Sequence, residues 1–184
     1  GYPDLVVARF WFENPGALAR QSDTPWSRNS YAGGLPAENH DIALLDADND
    51  GRNEILCYSQ TAGNGTLRLY KTDDPYQWTY YDVATAVNET AGSVPQGNGI
   101  HGGFSPGGTG DLNKDGFADI ILPTGWYRNP GNSQEQPWIL MPWPFQIGII
   151  PNLYGLSIRS WITDMDGDGD NDVVYTDCDV EGSR

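Results

Sequence analysis

Three nonapeptides in this chain carry side-chain oxygens at a spacing that suits a hard metal ion. Asp46-Ala47-Asp48-Asn49-Asp50-Gly51-Arg52-Asn53-Glu54, Asp111-Leu112-Asn113-Lys114-Asp115-Gly116-Phe117-Ala118-Asp119 and Asp164-Met165-Asp166-Gly167-Asp168-Gly169-Asp170-Asn171-Asp172 share one frame. Positions 1, 3 and 5 bear oxygen, position 6 is glycine and position 9 is a carboxylate. Oxygen ligands on alternate residues, turned inward at a glycine, wrap a cation of calcium size. The residues at position 7, Arg52, Phe117 and Asp170, complete each candidate ligand set. Three Ca2+ sites are the expectation. Asn113 lowers the ligand charge of the second loop, which is expected to bind most weakly.

The frame departs from an EF-hand, which keeps a bidentate Glu at position 12 and enters a helix. Here position 12 is Tyr58, Leu122 or Tyr175. The residues after each loop, Ile55-Leu56-Cys57-Tyr58, Ile120-Ile121-Leu122 and Val173-Val174-Tyr175, are β-branched, aliphatic and aromatic runs that predict buried strands. Each loop therefore joins two strands, with the position 9 carboxylate in place of the missing Glu. The loops supply nearly all their own ligands, so a structural metal is expected rather than a catalytic one with open positions.

A fourth copy lacks its beginning. Gly1 to Gly16 align with Gly116 to Gly131 at a constant offset of 115, matching the loop glycine, the position 9 Asp, the apolar run and Trp-aromatic-x-Asn-Pro-Gly. Residue 1 falls where position 6 of a loop should be, and a piece of a longer repeat protein is the expectation. The repeat glycines Gly1, Gly51, Gly116 and Gly169 are 50, 65 and 53 residues apart, a range that suits four short strands per unit. Within a unit the order is strand, loop, apolar strand, a third strand such as Leu67-Arg68-Leu69-Tyr70 or Gly125-Trp126-Tyr127, then a fourth opened by Trp26, Trp78 or Trp138. No segment shows helical periodicity. The pattern predicts an all-β fold: one partial β-propeller segment over 1–184, about three four-stranded antiparallel blades with a truncated repeat at 1–16.

The motif Asp-x-Asp/Asn-x-Asp-Gly-x-x-Asp/Glu before an apolar strand, with Trp-aromatic-x-Asn-Pro-Gly downstream, resembles the FG-GAP or VCBS repeats of calcium-bearing propellers. That family includes integrin α subunits, some fungal lectins and several secreted carbohydrate-active lyases and dehydratases. The resemblance spans essentially the whole chain. It implies a seven- or eight-bladed parent without singling out one function.

Composition fits that expectation. The formal net charge is −15, but 12 of the 25 acidic residues lie in the three loops, where bound cations would neutralise them. The ten Lys and Arg are scattered singly and form no basic stripe, which argues against nucleic acid as a partner. Trp138 to Ser157 carries no charge, yet Pro142, Pro144 and Pro151 break it, so no membrane insertion is expected. It is read as a fourth strand followed by an apolar crossover. Millimolar calcium outside the cell can fill weak oxygen loops, pointing to an extracellular or periplasmic location. Asn64-Gly65-Thr66 and Asn88-Glu89-Thr90 are acceptor sequons. Cys57 and Cys178 belong to non-adjacent units and are expected to be unpaired core residues.

If the loops are scaffold, a ligand site must lie elsewhere. The residue six before position 1 sits about 17 to 20 Å away along an inner strand, at the opposite mouth of the channel. His40 holds that place in the first unit; His101 precedes Asp111 by ten, beyond an extra segment Phe104 to Gly107; Arg159 precedes Asp164 by five. Asp41, Asn98, Ser105 and Tyr154 flank them, and Trp161 in the third inner strand offers an aromatic face. The recurring Trp11, Trp126, Trp26, Trp78 and Trp138 are assigned to the core. His40, His101 and Arg159 are also the candidate catalytic groups, because a base with an Arg holding a carboxylate or enolate suits elimination from an acidic sugar. The reading is a rigid binding platform with carbohydrate as its ligand. Its alternatives are a polysaccharide lyase or sugar dehydratase, a carbon-oxygen lyase, and a protein-adhesion module. Remaining blades of a parent propeller, or another chain, are the expected partners of the incomplete ends.

Overall fold

The computed structural model describes residues 2–7, 10–20, 24–30, 39–61, 64–87, 103–122, 125–131, 137–144 and 157–178. Over these the fold is all-β, and the strands follow the apolar runs of the sequence. β1 (Leu5–Val7), β2 (Phe10–Glu13) and β3 (Ser27–Ser30) form a first antiparallel sheet. β4 (Asn39–Leu45), β5 (Glu54–Thr61), β6 (Asn64–Lys71) and β7 (Thr79–Val87) form a second, in chain order. β9 (Thr109–Gly110), β10 (Asp119–Leu122), β11 (Gly125–Arg128) and β12 (Ile139–Pro142) form a third. β13 (Ser157–Thr163) and β14 (Asp172–Cys178) pair as a hairpin around the third acidic loop.

The residues before Asp111 were expected to form an extra segment, and the structure gives part of it a place. β8 (Pro106–Gly107) leaves its own unit and runs parallel to β13, with Ser160 opposite Pro106 and Trp161 opposite Gly107. Glycine is required beside this crossing, since a Cβ on Gly108 would collide with Ser160 Oγ and the Phe104 backbone. Among the described residues the chain also makes one short 3-10 turn, Gly16–Arg20, where no helical element was expected; it is entered at Gly16 with φ +66°. Among the described residues no helix is long and apolar enough to cross a membrane. Asn64-Gly65-Thr66 opens β6 at the hairpin turn, with Asn64 opposite Thr61, rather than lying in an open loop. The other sequon falls outside the described residues.

The sheets stack face to face because their strands alternate. In the second sheet Ala43, Leu45, Leu56, Tyr58, Leu67 and Leu69 point one way and pack on Ile120, Leu122, Tyr127 and Trp138 of the third. Ile55, Cys57, Tyr70 and Trp78 point the other way and pack on Trp11 of the first. Full burial of each aliphatic side chain here contributes about 1.5–3 kcal/mol. Trp11, Trp78 and Trp138 are buried, as the recurring aromatics were expected to be, whereas Trp126 is only half-buried. Trp26 is 38% exposed, because among the described residues no sheet lies on the outer face of β1–β3. Cys57 is a buried free thiol whose pKa burial pushes up to about 12, so it is an inert core residue. The Cys178 side chain lies outside the described set.

The strands that lead into the acidic loops lie side by side. Ser105 Oγ donates to the Ile42 carbonyl at 2.9 Å and Thr109 Oγ1 to the Leu44 carbonyl at 3.3 Å, tying β8 and β9 to β4. Ser160 of β13 donates its hydroxyl to the Gly103 carbonyl. All three loops therefore leave adjoining strands at one end.

Candidate metal centre

The three nonapeptides adopt one backbone. Position 6 is left-handed in each, with Gly51, Gly116 and Gly169 at φ +86°, +91° and +89°. Position 4 is left-handed as well: Asn49 at +58°, Lys114 at +62° and Gly167 at +77°. Non-glycine residues are uncommon there, so this second reversal is a specific demand of the loop. The position 1 carboxylate fills the turn it creates. Asp46 accepts from the N–H groups of Asp50 and Gly51 at 3.1 and 2.9 Å, Asp111 from Asp115 and Gly116 at 3.1 and 2.8 Å, and Asp164 from Gly167 and Gly169 at 2.7 and 3.0 Å. The position 9 carboxylate closes the loop by accepting the position 2 N–H: Ala47 to Glu54 at 2.8 Å, Leu112 to Asp119 at 2.9 Å, Met165 to Asp172 at 3.0 Å.

This arrangement brings carboxylates together in two of the loops. Asp46, Asp48 and Asp50 present ligand oxygens within 4.8 Å of one another, and so do Asp164, Asp166 and Asp172. In the second loop the neutral Asn113 instead donates its amide to Asp115 at 2.9 Å. Asp168 accepts the Asp170 N–H at 2.8 Å, Asp166 the Asp168 N–H at 3.1 Å, and Asp115 the Phe117 N–H at 3.0 Å. In the first loop Asp48 Oδ1 is buried with no hydrogen-bond partner, while Oδ2 meets the Lys71 ammonium. A buried carboxylate oxygen without a donor is costly unless a cation supplies the missing contact, so the donor set fits a hard ion.

Surroundings set the charge of each loop. Burial raises the pKa of Glu54, which is 3% exposed, and takes Asp119, fully buried, up to about 6. The Arg52 N–H and then its guanidinium lower the pKa of Asp50. The hydrogen bond to Asp48 raises that of Lys71. Arg52 also pairs with Asp73 at 3.0 Å.

The loops touch in sequence order. Asn49 at position 4 of the first donates to the Gly116 carbonyl of the second at 2.8 Å. Lys114 at position 4 of the second pairs with Asp170 of the third, and Asn171 of the third donates back to the Asp111 carbonyl at 2.6 Å. Asn129 adds a buried tie: its N–H reaches Asp119 at 2.8 Å and its amide reaches the carbonyls of Ala47 and Ala118 at 2.8 and 3.0 Å. The first sheet repeats part of this at the offset of 115. The Asn14 N–H reaches Asp4 at 2.8 Å, its amide the Pro3 carbonyl at 2.9 Å, and its Oδ1 the Gly16 N–H at 3.0 Å, as Asn129 Oδ1 holds Gly131 at 2.9 Å. The recurring Asn-Pro-Gly was the available signal for this clamp; Lys71 and the position 4 contacts had none.

The candidate mouth residues are only partly described. His40 is the second residue of β4, its side chain outside the described set; His101, Asn98 and Tyr154 lie outside it altogether. Arg159 and Trp161 are exposed on β13, Trp161 by 41%, with its indole over Gly107. Their neighbours converge: the Gly103 N–H donates to Asp41 at 2.6 Å, and Ser160 binds the Gly103 carbonyl. No family model matches the chain, and no curated protein or solved structure does.

Proposed function

We propose that the three loops hold calcium and that the chain is a segment of a calcium-stabilised β-propeller of FG-GAP/VCBS type, presenting a carbohydrate-binding platform outside the cell. One observation carries the reading: three separate nonapeptides take the same doubly reversed backbone at the same end of adjoining strands. A shared local geometry with crowded carboxylates is what a repeated metal loop needs, and the partnerless Asp48 oxygen is where an ion would contribute. The ion would be held by the oxygens at positions 1, 3 and 5 with position 9 beside them. Its charge would offset the repulsion among the carboxylates and fix the turn between two strands. Stacked sheets whose inner strands adjoin support the propeller architecture.

The reading assigns carbohydrate to the other end of the inner strands, and what supports it is that Arg159 is exposed beside Trp161 where Asp41, Gly103 and Ser160 join. A cation and an aromatic face on a rigid strand suit an acidic sugar: one pairs with the carboxylate and the other stacks on the ring. The test is a glycan array with the 184-residue chain, followed by titration of any hit against Arg159→Ala and His40→Ala. Binding that falls about tenfold with an unchanged melting curve supports the site. Absence of binding to every acidic glycan overturns it. A rise in absorbance from an unsaturated product would turn the platform into a lyase.

A further inference from the structure

The three acidic loops are far apart in sequence but joined at defined atoms. Asn49 of the first donates its amide to the Gly116 carbonyl of the second at 2.8 Å. Lys114 of the second pairs with Asp170 of the third, and Asn171 of the third donates to the Asp111 carbonyl at 2.6 Å. Beneath them Asn129 donates its amide to the Ala47 carbonyl of the first loop and its N–H to the Asp119 carboxylate of the second, each at 2.8 Å. These bonds end within the neighbouring turns. Gly116 is the left-handed residue of its loop, at φ +91°, and Asp119 closes that loop through the Leu112 N–H. Asp111 caps it by accepting from Asp115 and Gly116.

The side chains that reach across belong to the closed form of the turn. Asn49 and Lys114 are left-handed, at φ +58° and +62°, where a residue with a Cβ is uncommon. An opened turn would return them to ordinary backbone and carry both side chains off their partners. Each of these contacts therefore needs both loops that it joins to be closed. A cation that closes one loop spares its neighbour part of the cost of ordering, and by linkage the help is mutual. One effect opposes this: a filled loop weakens the negative field felt by the next cation. That field is screened over about 8 Å at physiological ionic strength, whereas the contacts are direct.

We propose that the three loops take up cations cooperatively, with the second loop coupled to the first through Asn49 and Asn129 and to the third through Lys114 and Asn171. The inference rests on the calcium reading above and adds to it a dependence of each site on its neighbour. Coupling of the first loop to the second is the stronger, because Asn129 is 1% exposed while Lys114 and Asp170 lie open to solvent. The first and third loops share none of these bonds, so they sense one another only through the second.

Calorimetric titration of the 184-residue chain with calcium, in salt of about 0.15 M, tests it. Asp168→Ala removes a ligand of the third loop. In the otherwise unaltered chain it should raise the calcium concentration that half-fills the other two loops about fivefold, the low end for linked sites because the ties to the third loop are exposed. With Lys114→Gly and Asn171→Ala also present, the same substitution should change that concentration by less than about twofold. Glycine already holds position 4 in the third loop, so Lys114→Gly keeps the turn and removes the contact. Asp166→Asn runs the same cycle if Asp168→Ala does not fold. Calcium uptake by the first two loops that is unchanged or tightened by Asp168→Ala overturns the coupling and leaves the metal reading standing. An equal weakening in both backgrounds overturns the assignment to Lys114 and Asn171. A chain that takes up no calcium at all overturns the metal reading, and the coupling with it.

Discussion

The first and third acidic loops have the same backbone and almost nothing else in common. Asp46 to Glu54 is built into the protein: Ala47 and Glu54 are buried, Lys71 neutralises Asp48, and Asn129 holds the Ala47 carbonyl. Asp164 to Asn171 is exposed throughout, with four carboxylates in that span and a single ammonium, Lys114, on Asp170. The turn is therefore dictated locally, by left-handed residues at positions 4 and 6 and by a position 1 carboxylate that caps them. The electrostatic setting is dictated from afar, by residues 23 positions away in Lys71 and 82 in Asn129. A loop of this kind can be copied along a chain without copying its electrostatic setting.

The widest break in that comparison is a test of the proposed calcium by chelation. A site loaded to 100 times its Kd adds about 2.7 kcal/mol, and each 1 kcal/mol moves the Tm of a chain this size by about 2–4 °C. Chelation should lower the Tm by about 10 °C or more, with recovery on adding calcium, followed by calorimetry. Asp168→Ala in the exposed third loop should remove more of that recovery than Asn113→Ala, which deletes a neutral ligand. A Tm indifferent to chelator would end the metal reading for all three loops.

Acidity separates the loops next. Asp119 titrates at about 6 against an ordinary 3.8, because burial penalises its charged form. In chelator its contribution is complete below pH 3.8 and lost as pH rises through about 6, an effect of at most about 3 kcal/mol. Asp119→Asn should flatten the stability profile between pH 4 and 6, whereas Asp172→Asn leaves Asp119 and its slope in place. Denaturant midpoints across that range read the difference.

The clamp gives a smaller contrast. Asn129 is 1% exposed, and truncation leaves the buried Ala47 carbonyl and the Ala118 carbonyl without its amide while the backbone N–H still reaches Asp119, so Asn129→Ala should cost about 1–3 kcal/mol. The same bonds around Asn14 are exposed, and Asn14→Ala should cost a few tenths to about 1 kcal/mol by the same denaturant assay. Equal losses would mean the two clamps are not distinguished by burial. The finest test is Lys71→Met, which frees Asp48 for an ion and should tighten the first site about 3- to 10-fold by calorimetric titration.

Much of this was legible in the sequence. The apolar runs after each loop became β5, β10 and β14, and the tryptophans at 26, 78 and 138 each stand one residue before a strand. Alternating hydrophobicity and turn glycines are local signals, and they survive folding. What the sequence did not disclose is non-local. β8 crosses to β13 over more than 50 residues, the Asn129 amide spans two units, and Trp26 is exposed because no sheet among the described residues lies against it. The left-handed position 4 was hidden for another reason. Asn, Lys and Gly occupy it in turn, and no single residue type marks it.

That position gives the row of loops a direction. Asn49 reaches forward to the second loop and Lys114 forward to the third, so each repeat hands a side chain to its successor. Gly167 has none to give, and the relay stops there. Order along the chain is thus written into the surface that carries the loops, and two repeats exchanged in place would each meet the wrong neighbour. Asn is the residue that tolerates this conformation and still extends an amide, which makes Gly167 the one point at which the relay could be lengthened without reshaping the turn.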